Sequence, residues 1–295
     1  MIDKPEDRIR ALDIWHGPIE IAALTGGITN RNYHVRDGSR RRVVRLGSDI
    51  PVHHIVRANE LAASLAAHAA GLSPDVVYHE PGILVLDYID APALSAEVLG
   101  RPDMLERVVL LVRDAHRRVG GHLRGAAGMF WSFHIIADYA STLRDIGSRY
   151  EPLMHGLLDK MRRLEKAAGP FDIVFCHNDL LASNFLDDGH RLWLIDWDYA
   201  GFNTPLFDLG GLASNAGFSA DQEAAMLDIY HDGVGERGLK RRYEAMKCAS
   251  LLRETLWSMV SEAYSTIEFD YVAYTADNMA RFERAYQLFD IEERR

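Results

Sequence analysis

The most constraining feature of the chain is a stretch in which polar side chains interrupt short apolar segments, FCHNDLLASNFLDDGHRLWLIDWDYAGF, from Phe175 to Phe202. The apolar segments DIVF, NFL and LWLI have the length and composition of short buried strands. Carboxylates placed between buried strands are costly unless they are paired, bind a metal or face solvent in a cleft. The stretch therefore predicts a site for chemistry, with a pair of Asx turns in a β-rich corner as the structural alternative.

The overall composition is that of an ordinary globular enzyme. The chain has 295 residues, of which 48% are hydrophobic and 26% charged, enough to bury a large core. Its net charge of −10 disfavours nucleic acid and anionic membranes as partners. Because it has neither an apolar signal segment nor an apolar run of membrane-spanning length, we expect a cytoplasmic protein. Cys176 and Cys248 show neither disulfide nor metal spacing and are expected to be buried thiols.

Hydrophobic periodicity divides the chain into a strand-rich part and a helical part. Five strands are predicted in the first part, over residues 19–24, 32–37, 43–46, 75–79 and 82–89. An alanine-rich helix that ends at Gly71 lies between the third strand and the fourth, and from Met104 onward the pattern is mostly helical. We therefore predict an α+β fold with a small β-rich N-terminal lobe, residues 1–91, and a larger, mainly helical C-terminal lobe, residues 92–295. A ligand site is expected in the cleft between the lobes.

The spacing of the polar residues within the stretch suits phosphoryl transfer. NFL and LWLI can pair as a hairpin across the Asp-Asp-Gly turn, which would bring Asn184 close to Asp196. An amide oxygen and a carboxylate, with positions left open for water and phosphate, are suitable ligands for Mg²⁺. Asp179 precedes Asn184 by five residues, would face the same cleft, and could accept a proton from a substrate hydroxyl.

HNDLLASN followed by LIDWDYAG resembles the catalytic and metal-binding segments of the kinase-like phosphotransferases of the aminoglycoside phosphotransferase and choline kinase group. The resemblance implies the bilobal protein-kinase-like fold and an ATP- and Mg²⁺-dependent enzyme. It implies that Asp179 is the catalytic base, that Asn184 and Asp196 hold Mg²⁺, and that His177 opens the loop as a structural residue. Signatures of protein kinases such as H-R-D and D-F-G are absent. Asp208, in the segment after the motif, is expected to anchor the loop.

The same resemblance extends to the nucleotide-binding lobe. LTGGITNRNYHV is similar to the family's first loop, in which glycine residues let backbone amides approach the ATP phosphates. Arg45 falls where the family places the cation that contacts the α- and β-phosphates, with Glu60 on the following helix as its ion-pair partner. LVLDYID corresponds to the hinge whose backbone binds adenine. The implied nucleotide-binding residues are Gly26, Gly27, Thr29, Asn30, Arg45, Glu60, Asp87 and Ile89.

The segment LLRETLWSMVSEAYSTIEFDY resembles the region that carries the acceptor pocket of choline kinases. Trp257 matches one tryptophan of the family's aromatic cage, and Tyr199 and Asp179 would add a ring and a negative charge. Two positions depart from the family pattern, because Glu254 stands where eukaryotic members have a second tryptophan and Asn215 where they have a glutamate. Glu254 could restore that carboxylate. We expect an amino alcohol as partner, choline first, with ethanolamine, thiamine and aminoglycosides as alternatives.

Two other classes of protein stay open at this point. A catalytically silent regulator would bind ATP and phosphorylate no alcohol, and a structural scaffold would not be stabilised by nucleotide at all. Because every implied catalytic position is present, we predict an enzyme. The oligomeric state and the choice between ATP and GTP are left open by the sequence.

Overall fold

The computed structural model describes residues 4–24, 30–235 and 237–293. Within these ranges an antiparallel sheet is followed by a mainly helical part, as the hydrophobic pattern predicted. The change from strands to helices falls between Asp87 and Ala96, and the lobe boundary after residue 91 stays a prediction. Across the described ranges, every helix is either too short or too polar to serve as a membrane span.

The sheet has five strands, and one of its faces carries a small core of its own. The strands are β1 (Ile19–Leu24), β2 (Arg31–Asp37), β3 (Arg40–Leu46), β4 (Val76–Glu80) and β5 (Ile83–Asp87), in the order β1-β2-β3-β5-β4. Tyr33, Val44 and Val85 are paired in register across β2, β3 and β5, and they pack with Ile9 of helix α1 (Pro5–Arg10). Because side chains alternate between faces, Arg45 lies on the face opposite to Val44.

Helix α2 (Arg57–Ala69) connects the sheet to the main core. Its alanines Ala63, Ala66 and Ala67 are buried in the large hydrophobic cluster, and the helix packs on α4 (Pro102–His122). The helix ends before Gly71, as predicted, and Gly71 takes a φ of 76°, which glycine adopts at little cost. Glu60, in the first turn of α2, is buried.

The helical part is organised around one long helix, α9 (Leu239–Tyr264), which buries residues on all sides. The helices that pack on it are α5 (Ser132–Asp145), α6 (Glu151–Ala168), α7 (Pro205–Ala216) and α10 (Tyr271–Glu293). Two shorter helices, α3 (Ala96–Leu99) and α8 (Ala220–Tyr230), complete this part within the described residues. A helix that is surrounded in this way carries its polar residues into the interior, where they need partners.

The stretch from Phe175 to Phe202 forms two short pairs of strands at the junction of the two parts. Strand β6 (Val174–Cys176) pairs with β9 (Gly201–Asn203), and β7 (Phe185–Asp187) pairs with β8 (Leu192–Leu194), which confirms the predicted hairpin. The Leu194 N–H donates to the carbonyl of Leu72, and the Ser73 hydroxyl donates to the Leu194 carbonyl at 2.5 Å. The hairpin is therefore fixed to the end of α2. Both cysteines are free and buried, as expected.

Gly210 in α7 and Gly156 in α6 offer a matched test of helix packing. A Cβ on Gly210 would lie 2.6 Å from the Cα of Lys247 in α9, whereas Gly156 is exposed with nothing within 4 Å of such an atom. We expect Gly210→Ala to lower the free energy of unfolding by about 1–3 kcal/mol, because the helices must move apart. Gly156→Ala should raise it by about 0.5–1 kcal/mol through helix propensity. Urea unfolding followed by circular dichroism measures both, and equal effects would contradict the close approach of α7 and α9.

Candidate active site

The loop that follows β6 is held by the buried carboxylate of Asp208. This carboxylate accepts hydrogen bonds from the backbone N–H groups of His177, at 2.8 Å, and Asn178, at 2.7 Å. The ring of His177 lies 3.0 Å from the carbonyl oxygen of Ile195. Asn178 has a φ of 66°, a left-handed conformation that asparagine tolerates better than most residues. These contacts confirm that Asp208 anchors the loop, and they fix the backbone that carries Asp179.

Asp179 is half-buried at a cleft cavity of about 90 Å³ between the sheet and the helical part. Burial raises the pKa of its carboxyl to about 8, against the opposing charge of Arg253. A group with a pKa close to neutrality is suited to taking up a proton during a reaction. The predicted site residues that this cavity brings together are Asn30, Asp179, Asn184, Asp196, Tyr199, Glu254 and Trp257.

Asn184 and Asp196 lie side by side in this cavity because their strands pair. The Asn184 carbonyl accepts a hydrogen bond from the N–H of Ile195, and the Asn184 amide nitrogen donates to the Asp179 carbonyl at 3.0 Å. The side-chain oxygen of Asn184 is thus the atom that could bind a cation. Oδ1 of Asp196 is buried and makes no hydrogen bond to any described residue, although it lies 2.9 Å from Nη1 of Arg45. A carboxylate oxygen that only the Arg45 guanidinium approaches and an amide oxygen of a residue lining the same cavity are the kinds of ligand that fit Mg²⁺.

The guanidinium of Arg45 is buried among three carboxylates. Its Nη1 lies 2.5 Å from Oε1 of Glu60 and 2.9 Å from Oδ1 of Asp196, and it also contacts Asp198. Burial alone would lower the pKa of Arg45, but the carboxylates of Asp196, Asp198 and Glu60 raise it well above its usual value. The structure therefore brings the predicted pair of Arg45 and Glu60 together. The role of Arg45 toward the ATP phosphates stays a prediction.

Arg57 and Asp198 extend this cluster. Nη1 of Arg57 donates to Oε2 of Glu60 at 2.6 Å and to Oδ1 of Asp198 at 3.1 Å. Asn30, which the resemblance assigned to phosphate, here hydrogen-bonds both Arg57 and Asp198 through its side-chain amide, each at 2.6 Å. Although burial opposes it, the charges of Arg45 and Arg57 hold the pKa of Asp198 down, at about 2. Asp198 is therefore an ionised structural partner of the two arginines.

Of the other predicted nucleotide-binding residues, the two that the structure describes, Asp87 and Ile89, do not join this cluster. The described residues exclude the other three, Gly26, Gly27 and Thr29. Asp87 ends β5, where its N–H donates to the carbonyl of Asp75 at 2.9 Å and its carboxylate pairs with Arg42. The N–H of Asp87 is therefore not available to a bound base. Neither Asp87 nor Ile89 lines the cleft cavity, and their role in a hinge stays a prediction.

The two rings that were expected to enclose a cationic head group contact each other. Nε1 of Trp257 donates to the hydroxyl of Tyr199 at 2.9 Å, and both residues are buried. The guanidinium carbon of Arg253 lies 4.3 Å from the centre of the Tyr199 ring. A cation of the protein itself thus occupies a face of the ring that the resemblance assigned to choline.

Glu254 and Asn215, the two departures from the family pattern, are placed differently. Glu254 lines the cleft cavity, and its carboxylate accepts hydrogen bonds from Nη1 of Arg253 at 2.9 Å and from the Tyr274 hydroxyl at 2.8 Å. Asn215 is exposed, donates to a backbone carbonyl of the catalytic loop, and lines a small adjoining cavity that Asp179 and Glu254 also contact. The structure therefore places Glu254 in the acceptor cavity and Asn215 beside it.

Two residues of this site, Arg253 and Arg57, were not predicted from the sequence. Arg253 is 3% exposed and contacts Glu254 and the ring of Tyr199. The available signal was its position, because Arg253 and Glu254 form a charged pair inside the largely apolar run LLRETLW of a central helix. Arg57 was also missed, because an arginine at the start of a helix is ordinarily a surface residue.

Comparison with known families agrees with this geometry. A model of the phosphotransferase enzyme family matches residues 20–246. This range contains the sheet from Glu20 onward, the segment with Asp179, Asn184 and Asp196, and the first part of α9, so that the match covers most of the chain.

Individual relatives indicate to which group within this family the chain belongs. A solved structure of a choline/ethanolamine kinase family protein from Mesorhizobium loti is 30% identical, covers 94% of this chain and 92% of its own, and superposes with a TM-score of 0.76. Ethanolamine kinase 2 of Mus musculus is 25% identical over 89% of this chain and 74% of its own length. The choline kinase LicA from Streptococcus pneumoniae is 21% identical with a TM-score of 0.75, over 96% and 97% of the two chains, and it supports the kinase-like fold. The protein therefore belongs to the phosphotransferase enzyme family, within its choline/ethanolamine kinase group, and is an ATP-dependent phosphotransferase with an alcohol group as acceptor.

Proposed function

We propose that the protein transfers the γ-phosphoryl group of ATP to the hydroxyl of a small amino alcohol. One observation carries the proposal: Asp179, Asn184 and Asp196 line a single cleft cavity together with the acidic Glu254 and the ring of Trp257. The first three supply the groups that phosphoryl transfer needs, and the last two give the acceptor side an acidic and aromatic wall. The kinship with choline and ethanolamine kinases supports the same class of acceptor.

Asp179 acts on the acceptor in this mechanism. It orients the hydroxyl and takes its proton as the bond between that oxygen and the γ-phosphorus forms. The bond from the γ-phosphorus to the bridging oxygen of the β-phosphate breaks, and ADP leaves with that oxygen. Asn184 and Asp196 would hold Mg²⁺, which when bound would neutralise charge on the phosphates. Arg45 and Arg57 add positive charge and hold Asp196, Asp198 and the first turn of α2 together.

Choline is the acceptor that the sequence predicts, and ethanolamine is its nearest alternative. A quaternary ammonium needs open aromatic faces, and a face of Tyr199 is covered by Arg253. A primary ammonium can instead donate hydrogen bonds to a carboxylate, and Glu254 lies in the cavity. These contacts favour a primary amino alcohol.

The direct test is a coupled assay of ADP release with choline, ethanolamine, thiamine and kanamycin as acceptors. We expect turnover with an amino alcohol. ATP binding without phosphorylation of any alcohol would instead identify a silent regulator, and the absence of nucleotide stabilisation in a thermal shift would identify a scaffold.

Replacing the proposed base should abolish most of the turnover. We expect Asp179→Asn to reduce kcat by about 10²–10⁴-fold, because the amide cannot take up the proton. Asp172→Asn is the matched control, since Asp172 is exposed and lies ahead of β6. Steady-state kinetics with saturating ATP measures both variants. Near-normal turnover in Asp179→Asn would refute the assignment of the base.

The pH dependence follows from the raised pKa of Asp179. Only the ionised carboxylate accepts a proton, and with a pKa of about 8 its fraction falls about tenfold for each pH unit below that value. We therefore expect kcat/KM to rise with pH, to be half-maximal near pH 8 and to level off about one unit above that value. Circular dichroism at each pH verifies that the protein stays folded. If kcat/KM already reached its plateau at about pH 5, as expected for an aspartate with an ordinary pKa, the argument that burial raises the pKa of Asp179 would be contradicted.

Replacing the carboxylate of Asp196 should weaken the binding of Mg²⁺ selectively. We expect Asp196→Asn to raise the Mg²⁺ concentration for half-maximal rate by about tenfold or more, because a neutral ligand replaces a charged one. Asp114→Asn, in an exposed ion pair on α4, is the control and should leave this concentration unchanged. An unaltered Mg²⁺ dependence in Asp196→Asn would exclude Asp196 as a ligand.

A further inference from the structure

Arg253 has an unusual environment for an arginine in the middle of a helix. It is almost completely buried, its guanidinium stacks on Tyr199, and the ring of Phe130 lies 5.4 Å from it on another side. Its Nη1 donates to Glu254, the adjacent residue of α9. The positive charge is compensated by Glu254 through a hydrogen bond and by the nearby carboxyl of Asp179, and the position of the guanidinium is fixed by aromatic rings.

One edge of this guanidinium has no acceptor. Nε and Nη2 are both buried and have no hydrogen-bond partner of good geometry among the residues that the structure describes, although the buried Tyr139 side chain also interacts with this guanidinium. Buried donors without an acceptor are rare in native proteins and call for an explanation. Nε and Nη2 lie on the same edge of the planar group, and this edge is the one that binds a carboxylate through two parallel hydrogen bonds.

Arg253 lies on the acceptor side of the cleft. Arg253 and Glu254 line the cleft cavity that contains Asp179, and both also line the adjoining cavity next to Asn215. The acceptor side of the cleft thus contains a negative and a positive group that are adjacent in sequence. Glu254 is suited to an ammonium group, and the unpartnered edge of Arg253 is suited to a carboxylate.

We infer that Arg253 determines the specificity of the acceptor site, and that the acceptor is an amino alcohol which also carries a carboxylate, a hydroxy amino acid. The inference rests on the proposed kinase function and narrows its acceptor. The guanidinium fills the place above Tyr199 where a quaternary ammonium would stack, and its free edge binds the carboxylate. The acceptor hydroxyl is then presented to Asp179.

The experiment compares acceptors that differ only in the carboxylate. The pairs are L-serine with ethanolamine, and L-homoserine with 3-aminopropan-1-ol, and choline is measured alongside. For the wild type we expect kcat/KM to be at least about tenfold higher for the carboxylated member of one pair, because an unpaired buried arginine penalises the other member. Choline should be a poorer acceptor than the carboxylated compounds.

Two substitutions separate charge from geometry. Arg253→Met keeps the length of the side chain and should abolish or invert the preference for the carboxylated member. Arg253→Lys keeps the charge without the two-donor edge and should give an intermediate preference. Arg149→Met is the control, because Arg149 is an exposed arginine paired with Glu262 and does not line the cleft cavity. It should preserve the wild-type preference.

A binding experiment on the wild type does not depend on the folding of any variant. L-alanine and ethylamine correspond to L-serine and ethanolamine without the hydroxyl, and we expect L-alanine to be the stronger competitive inhibitor.

Several outcomes would overturn the inference. One is a wild type that prefers ethanolamine or choline. Another is a uniform loss of kcat for all acceptors in Arg253→Met, with the preference unchanged, which would place the guanidinium on Asp179 or on the transferred phosphoryl group. In both of these cases the kinase function stands. A wild type that phosphorylates no alcohol in any of the assays would overturn the proposed function together with this inference.

Discussion

The site depends on the buried guanidinium of Arg45, around which the sheet, α2 and the segment with Asp196 and Asp198 meet. Arg45 and Arg57 face the carboxylates of Glu60, Asp196 and Asp198, so that the cluster holds one negative charge in excess. Buried charges are tolerated only when they are compensated. Asp198 is compensated by the two arginines and by Asn30, whereas Asp196 has the oxygen without a hydrogen bond. The excess charge therefore falls where a divalent cation would bind, and the same cluster that joins the two lobes prepares the metal site.

A second buried carboxylate sets the geometry of the reaction. Asp208 binds two consecutive backbone amides of the catalytic loop, and its own position is fixed from behind by the ring of His116, 2.9 Å away. The loop is thus held by backbone contacts that leave the side chain of Asp179 free to face the cleft. Burial of Asp179 in the cleft raises its pKa, and the nearby carboxylates add to this effect against the opposing charge of Arg253. The acidity of the base is consequently a property of the fold around it.

The contacts of the site that could be predicted from the sequence are those between residues that lie close together along the chain. The hairpin that brings Asn184 to Asp196 is local, so its strand and turn pattern was sufficient. Asp208 was identified because it lies in the segment that follows the motif. The contacts of Asn30 and Arg57 with Asp198 join residues more than a hundred positions apart, and no periodicity encodes such pairs. The stacking of Arg253 on Tyr199 is of the same kind, and it altered the expected aromatic cage.

The two halves of the cleft differ in how far they follow the family pattern. On the phosphate side, Asp179, Asn184 and Asp196 satisfy the requirements of phosphoryl transfer, which are the same for any alcohol. On the acceptor side, Glu254 replaces a ring and the neighbouring Arg253 covers another, so that hydrogen-bonding charges stand where a cage for a quaternary ammonium would need bare aromatic faces. These two charges are adjacent on one turn of α9, and both also act on the carboxyl of Asp179, whose pKa Arg253 lowers and Glu254 raises. The acceptor side of the cleft is therefore coupled electrostatically to the proposed base on the loop between β6 and β7, and a substitution in α9 is expected to alter both the choice of acceptor and the protonation of Asp179.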